Sequence, residues 1–277
     1  MQDTRQTALL DTLVEAFKAD SGAYRNVETP PDTEGKRRLL RSLMNVRAPR
    51  ALDAETLRLQ DAYLTGRAEE RGAVSVSEIP TIADAIGSRK AHAGTLSIWQ
   101  GDITRLRVDA IVNAANSEML GCFVPMHTCI DNCIHTYAGV QLRLACAGQM
   151  QALRRVHGAD YTQPTAVPML TEGYNLPAKK VVHIVGPIVA DRLTPELEAQ
   201  LAACYRNTLD LCAEKGLKTV AFCGISTGVF RFPADRAAEI AVQTVSDWLS
   251  AHPAQLERVI FDVHSEQTRK RYEALLA

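Results

Sequence analysis

The chain has 277 residues, 46% hydrophobic and 23% charged, which excludes a disordered chain and provides for one ordinary domain plus a substantial extra segment. Lys and Arg number 31 against 32 Asp and Glu, so no overall basic field marks nucleic acid or an anionic membrane as partner, and a phosphate-bearing ligand has to be held by backbone amides and helix ends. Seven cysteines form no disulfide-like framework, and the opening "MQDTRQTALLDTL" has no apolar signal region, so the expectation is a cytoplasmic chain with reduced thiols and no membrane span.

Residues 1–90 read as a helical extension. Leu9, Leu10, Leu13, Val14 and Phe17 share a helical face, "ETPPDTEGK" interrupts it, and Asp32 or Thr33 can cap the next helix, "GKRRLLRSLMNVR". "AETLRLQDAYLTGRAEE" follows as a third. No constellation of reactive side chains stands out in this stretch. From about residue 93 to the end, short apolar runs alternate with amphipathic helices. The runs are "TLSIW", "DAIVNA", "TAVPML", "KVVHIVG", "TVAFCGIS" and "RVIFDVH", and the helices fall near 130–157, 195–215, 233–251 and 266–276. That alternation predicts an α/β domain over residues 91–277, with three α/β/α layers around a parallel or mixed sheet. In such sheets ligands bind beyond the C-terminal ends of the strands.

Three segments at those ends carry unusual residues. In "QGDIT", Gly101 permits a turn and Asp102 is able to accept from the exocyclic amine of a base, although an Asp after Gly also reads as a cap. In "VNAANSEMLG", Asn113 and Asn116 offer amides suited to sugar hydroxyls, or else simply form a turn. In "CGISTGVFRFP", glycines and small hydroxyl residues present backbone N–H groups able to cradle a diphosphate without any Lys.

Taken in order, "GDIT", "VDAIVNAAN", "CIDNCIHTYAG" and "GISTGVFRFP" resemble a macrodomain, the ADP-ribose-binding module, over about residues 93–277. The resemblance is closest to the protein-ADP-ribose hydrolases, which carry a glycine run before "DGAIH". Here "GCFVPMHTC" stands in its place, as in the zinc-containing macrodomains of bacteria and fungi, which also have a helical N-terminal extension. The resemblance therefore implies a three-layer macrodomain with a mixed central sheet, hydrolase activity, and Zn2+ beside the distal ribose. It further implies ADP-ribose and ADP-ribosylated protein as partners, the latter a lipoyl-carrier protein modified by a sirtuin. It places the diphosphate on the 224–230 loop (Gly224, Ile225, Ser226, Thr227, Gly228 and Val229), packs Phe230 of that loop against the distal ribose, and places adenine at Asp102 and Ile103. The ribose falls to Asn113 and Asn116, with Asn116 and Asp131 in catalysis. The alternatives are a reader that binds ADP-ribose without turnover, and a hydrolase of small ADP-ribose derivatives with a structural zinc.

Five residues of the segment offer metal ligands: Cys122, His127, Cys129, Cys133 and His135. Ile130, Ile134, Tyr137 and Leu144 predict a helix beginning near Cys129, on which Cys133 and His135 stand about 200° apart and cannot share an ion. Cys122, His127 and Cys129 form the preferred set, in a loop closed by Pro125, with Cys129 at a helix N-terminus that favours a thiolate. A set including Cys133 stays open, as does a reading of these cysteines as small core residues. His183, inside "VVHIV", is expected to be a hydrogen-bonded core histidine.

Overall fold

The computed structural model describes residues 2–277, with side chains from residue 4 onward. It divides into two compact units: residues 1–72, 118–161 and 173–176 form one, and residues 73–117, 162–172 and 177–277 the other. The grouping does not follow a linear boundary at residue 90. Residues 73–90 go with the sheet, and the two helices after residue 129 go with the N-terminal helices.

The helical unit begins with α1 (Gln2–Asp20), α2 (Thr33–Val46) and α3 (Ala54–Glu70). Asp32 Oδ1 accepts from Gly35 N at 2.8 Å and Asp53 Oδ1 from Thr56 N at 2.9 Å, so each helix starts where a carboxylate satisfies a first-turn amide. Leu10, Leu13, Val14 and Phe17 of α1 pack with Leu40, Leu43 and Met44 of α2 and Tyr63 and Leu64 of α3 in one apolar core. Arg47 and Arg50 both pair with Asp20, fixing the turn after α2 to the end of α1.

The helix expected over 130–157 is two, α5 (Ile130–Ala138) and α6 (Val140–His157). Gly139 sits between them at φ 96°, a conformation that breaks the helical run and that residues with a Cβ rarely adopt. The predicted start is observed: Cys129 is the N-cap, and its Sγ accepts from Asn132 N at 3.4 Å.

The sheet unit holds α4 (Ile82–Ile86), a two-residue parallel pair β1 (Val74–Ser75) and β3 (Leu106–Arg107), and a six-stranded sheet. Its strands are β2 (Leu96–Gln100), β4 (Ala110–Ala115), β5 (Met169–Glu172), β6 (Lys180–Val185), β7 (Thr219–Phe222) and β8 (Arg258–Val263), in the order β2-β8-β7-β4-β6-β5. All neighbours are parallel except β5, antiparallel to β6 at the edge, so the sheet is mixed. Helices α7 (Pro195–Glu214), α8 (Ala234–Ala251) and α9 (Glu266–Leu276) follow β6, β7 and β8, and contribute Leu201, Tyr205, Trp248 and Tyr272 to its core. The run expected as "TAVPML" becomes a strand only after Pro168, because proline supplies no N–H to the ladder.

Candidate active site

Beyond β4 the chain turns at Gly121, where φ is 78° and an added Cβ would lie 2.7 Å from the His135 ring. Only glycine passes that ring so closely. The loop then presents Cys122 and His127, and Cys129 closes it as the cap of α5. Ligand atoms of these three half-buried residues all lie within 4.8 Å of one another, and Cys122 Sγ is 3.6 Å from His127 Nδ1. Tetrahedral zinc with Zn–S near 2.3 Å and Zn–N near 2.05 Å requires a sulfur-to-nitrogen separation of about 3.6 Å, so the donor set fits that ion in chemistry and spacing. Cys133 stands apart from the trio, its Sγ receiving the Arg41 guanidinium at 3.6 Å.

Four residues that sequence reasoning missed hold this loop. Asn132 Nδ2 donates to Cys122 O at 3.4 Å and Val124 O at 2.9 Å. Arg41 Nη2 donates to His127 O at 2.7 Å and Asn132 Oδ1 at 2.9 Å. Asn45 Oδ1 accepts from Met126 N at 3.1 Å, and its amide donates to Thr136 Oγ1 at 2.9 Å. Arg143, buried, donates through Nε to Leu120 O at 2.7 Å and through Nη1 to Asn45 O at 2.8 Å and Arg47 O at 2.6 Å. The available signal was a polar residue on an apolar stripe: Asn45 is buried with Leu40, Leu43 and Met44 on α2, and Arg143 with Leu142, Cys146 and Met150 on α6.

Asp131 occupies the first turn of α5, 5% exposed, with Oδ1 3.6 Å from His135 Nε2. The helix N-terminus favours its ionised form. At Cys129, expected to gain thiolate character from the same terminus, burial acts in the opposite direction. Burial pushes that thiol up to about 12, and the nearby Cys122 and Asp131 add to the rise against the lowering Asn132 N–H. Burial likewise brings the Arg143 guanidinium down to about 10, with Asp131 opposing, and it stays charged at neutral pH.

In the sheet unit, Asp102 caps the short 3-10 turn Ile103–Arg105, its Oδ1 accepting from Thr104 N at 3.0 Å and Thr104 Oγ1 at 2.6 Å. Ile103 is fully buried. Burial first, then the Asp102 charge, pushes the Asp262 carboxyl of β8 well above the usual range. Asn113, expected at the ribose, lies in the last half of β4. It is fully buried within β4 and its Nδ2 donates to His183 Nδ1 at 3.0 Å, so that side of its amide is engaged inside the sheet. His183 completes the chain with Nε2 2.9 Å from Thr171 Oγ1, and burial holds its pKa down to about 3, making it the neutral core histidine expected. Asn116 lies just past the end of β4, half-buried.

The 224–230 loop follows β7 and is pinned through its carbonyls. Ser226 O accepts from Phe232 N at 3.0 Å, Gly228 O from Arg231 N at 3.0 Å, and Phe230 O from Val189 N at 2.9 Å. Ile225 and Ser226 are buried, while Gly224, Thr227, Gly228 and Val229 are exposed and Phe230 is half-buried. Ser226 holds φ 62°, a left-handed conformation sparsely populated outside glycine and concentrated at functional turns.

This strand order, with glycine-bearing loops after β2 and β7, meets a direct match: the Macro domain family model covers residues 112–241. A protein-ADP-ribose hydrolase of Treponema medium is 45% identical over 265 residues, spanning 96% of this chain and 97% of that protein. The chain belongs to the macrodomain family. A second relative of this macrodomain protein, the protein-ADP-ribose hydrolase of Staphylococcus aureus (strain MRSA252), is 38% identical over 96% of the chain and 94% of its own length. Among solved structures, the Trypanosoma brucei macrodomain in complex with ADP-ribose superposes with a TM-score of 0.64 at 27% identity, covering 85% of this chain and 95% of that one. The fold is the expected α/β class, a mixed sheet with flanking helices. No helix of the described residues is long and apolar enough to cross a membrane.

Proposed function

We propose that this macrodomain protein is a zinc-dependent hydrolase that releases ADP-ribose from modified protein side chains. The observation that carries the reading is the sulfur, sulfur and imidazole trio within 4.8 Å, whose Cys129 caps the helix that holds Asp131 in its first turn. Support comes also from relatives of nearly the same length that are named protein-ADP-ribose hydrolase. In this reading the 224–230 loop carries the diphosphate on its N–H groups, Asp102 and Ile103 receive the adenine, and Asn116 orients the distal ribose. Asn113 contributes by fixing the end of β4 through His183. Zinc held by Cys122, His127 and Cys129 would supply a positive charge with one open position beside the reacting sugar. Asp131 accepts a proton from the attacking water, with its carboxylate kept ionised by the α5 N-terminus. A lipoyl-carrier protein modified by a sirtuin is the substrate that accompanies this reading.

The test is release of ADP-ribose from a mono-ADP-ribosylated lipoyl-carrier protein, with metal content measured on the same preparations. Wild type carries about one zinc per chain and turns over. Cys122→Ala loses the metal and the activity, whereas Asp131→Asn keeps the metal and loses at least about 100-fold in rate. Metal-free wild type with full activity would reject the reading, and wild type that binds free ADP-ribose without any turnover would make the chain a reader.

A further inference from the structure

A cavity of about 120 Å³ in the helical unit takes no part in the chemistry above. Arg37, Arg38 and Arg41 of α2 and Arg67 of α3 line it, together with Tyr63 and Met126. Four guanidinium groups face two carboxylates: Arg37 lies 4.0 Å from Glu34 and 3.5 Å from Glu70, and Arg67 also pairs with Glu70. Two positive charges are left over in a chain whose net charge is -1. Arg38 is exposed. The Nε–H groups of Arg37 and Arg41 are shut from solvent with no acceptor among the described residues, so any contact from the cavity falls to the outer guanidinium nitrogens. The cavity also adjoins the metal loop, since Met126 lies in that loop and Arg41 donates to the His127 carbonyl.

We propose that this cavity docks an acidic segment of the modified protein, next to the side chain that carries ADP-ribose. The proposal rests on the hydrolase reading for its substrate, and on the cavity alone for its charge preference. Guanidinium forks match Asp and Glu carboxylates in shape as well as sign. A volume of about 120 Å³ is several times what a single water needs and leaves room for one or two acidic side chains. Nucleic acid suits the site less well. Tyr63 is 5% exposed and Arg71 already covers the Tyr137 ring at 3.6 Å, so neither aromatic offers a free face for base stacking.

The experiment has two arms. Fluorescence anisotropy measures binding of an unmodified, labelled ten-residue peptide rich in Glu, of its Ser counterpart, and of a ten-nucleotide RNA. Turnover is measured on two ADP-ribosylated peptides that differ only in Glu or Ser at the flanking positions. Wild type is expected to bind the Glu peptide at least about fivefold more tightly than either other probe, with kcat/KM favouring the Glu-flanked substrate to a similar degree. Arg38→Glu, a change at an exposed helical position, should bring both ratios close to one, and 0.5 M KCl should erode them in wild type. Equal binding of Glu and Ser peptides, ratios untouched by Arg38→Glu, or tighter binding of RNA would each overturn the docking site. Preferential binding without turnover would uphold docking and remove the hydrolase reading, so the two failures are distinguishable.

Discussion

Replacing Arg143 by Met keeps the length and apolar stem of the side chain while removing every donor. Arg143 makes three short bonds to carbonyls, Leu120 O at 2.7 Å, Asn45 O at 2.8 Å and Arg47 O at 2.6 Å, and two longer ones at 3.3 Å to Met44 O and Cys122 O. Met44 and Asn45 end α2 and Arg47 is its C-cap, so one cation satisfies the exposed carbonyl end of a helix and both sides of the turn at Gly121. Charge-assisted bonds of this kind contribute about 1.5 kcal/mol each, which for the three short ones gives a loss of about 4.5 kcal/mol on truncation. Arg143→Lys restores the charge but reaches one carbonyl group at a time, and should recover less than half of that loss. Urea unfolding of the metal-stripped proteins measures the stability, and elemental analysis of the purified proteins measures zinc retention. The Met variant should unfold well below wild type and, on the proposed zinc reading, retain less metal as the Leu120–Cys122 turn slackens. A Met variant within 1 kcal/mol of wild type in stability, with unchanged metal content, would refute the argument that Arg143 ties α2 to the loop.

Gly121→Ala forces a Cβ to within 2.7 Å of the His135 ring at φ 78°, and is expected to cost about 2–4 kcal/mol in thermal unfolding, whereas Gly148→Ala in α6, where a Cβ meets nothing within 4 Å, should be neutral or stabilising by up to about 1 kcal/mol. Asp109 is raised by burial but lowered by more through Lys179 Nζ and the Lys218 and Thr219 N–H groups, so its folded pKa lies below the unfolded value near 3.9. Its contribution is therefore complete above about pH 4 and disappears as pH falls through the depressed folded value. Asp109→Asn should lose about 1–2 kcal/mol at pH 7 in chemical denaturation, and the gap to wild type should close as the pH drops below 4; a constant gap down to pH 2 would contradict the assignment.

The elements legible in the sequence were those governed by neighbours along the chain. Asp32 caps α2 and Cys129 caps α5 because each side chain meets an amide three residues on, a relation that spacing alone reveals. Of the five apolar runs that became strands as read, those forming β4, β6, β7 and β8 are buried at most positions, as their lack of alternation required, while the edge strand β2 is buried only at Leu96 and Ser97. Two local readings failed for local reasons. Gly139 ends α5 where the apolar pattern continues through it, and Pro168 delays β5 by removing an N–H from the ladder.

Long-range polar ties were hidden for a different reason. The clustering of Cys122, His127 and Cys129 was readable because they lie within eight positions, close enough for loop geometry to be argued from the chain itself. Much of what holds the trio in place comes from far along the chain: Arg41 reaches His127 across 86 positions and Asn45 reaches Met126 across 81, while Arg143 links Leu120, 23 positions back, to Asn45, 98 positions back. Nothing in the local pattern says which carbonyls a buried guanidinium will find, only that a cation on an apolar stripe must find some. Asn113 shows the same limit from the other side. An asparagine near a strand end reads as a ligand group or a turn, and only the pairing of β4 with β6, which sets it opposite His183, turns it into a core hydrogen bond. The helices before residue 72 therefore matter to the loop through named contacts, the Arg41 and Asn45 side chains of α2, and a chain lacking α2 would leave the His127 carbonyl and the Met126 amide without the partners they have here.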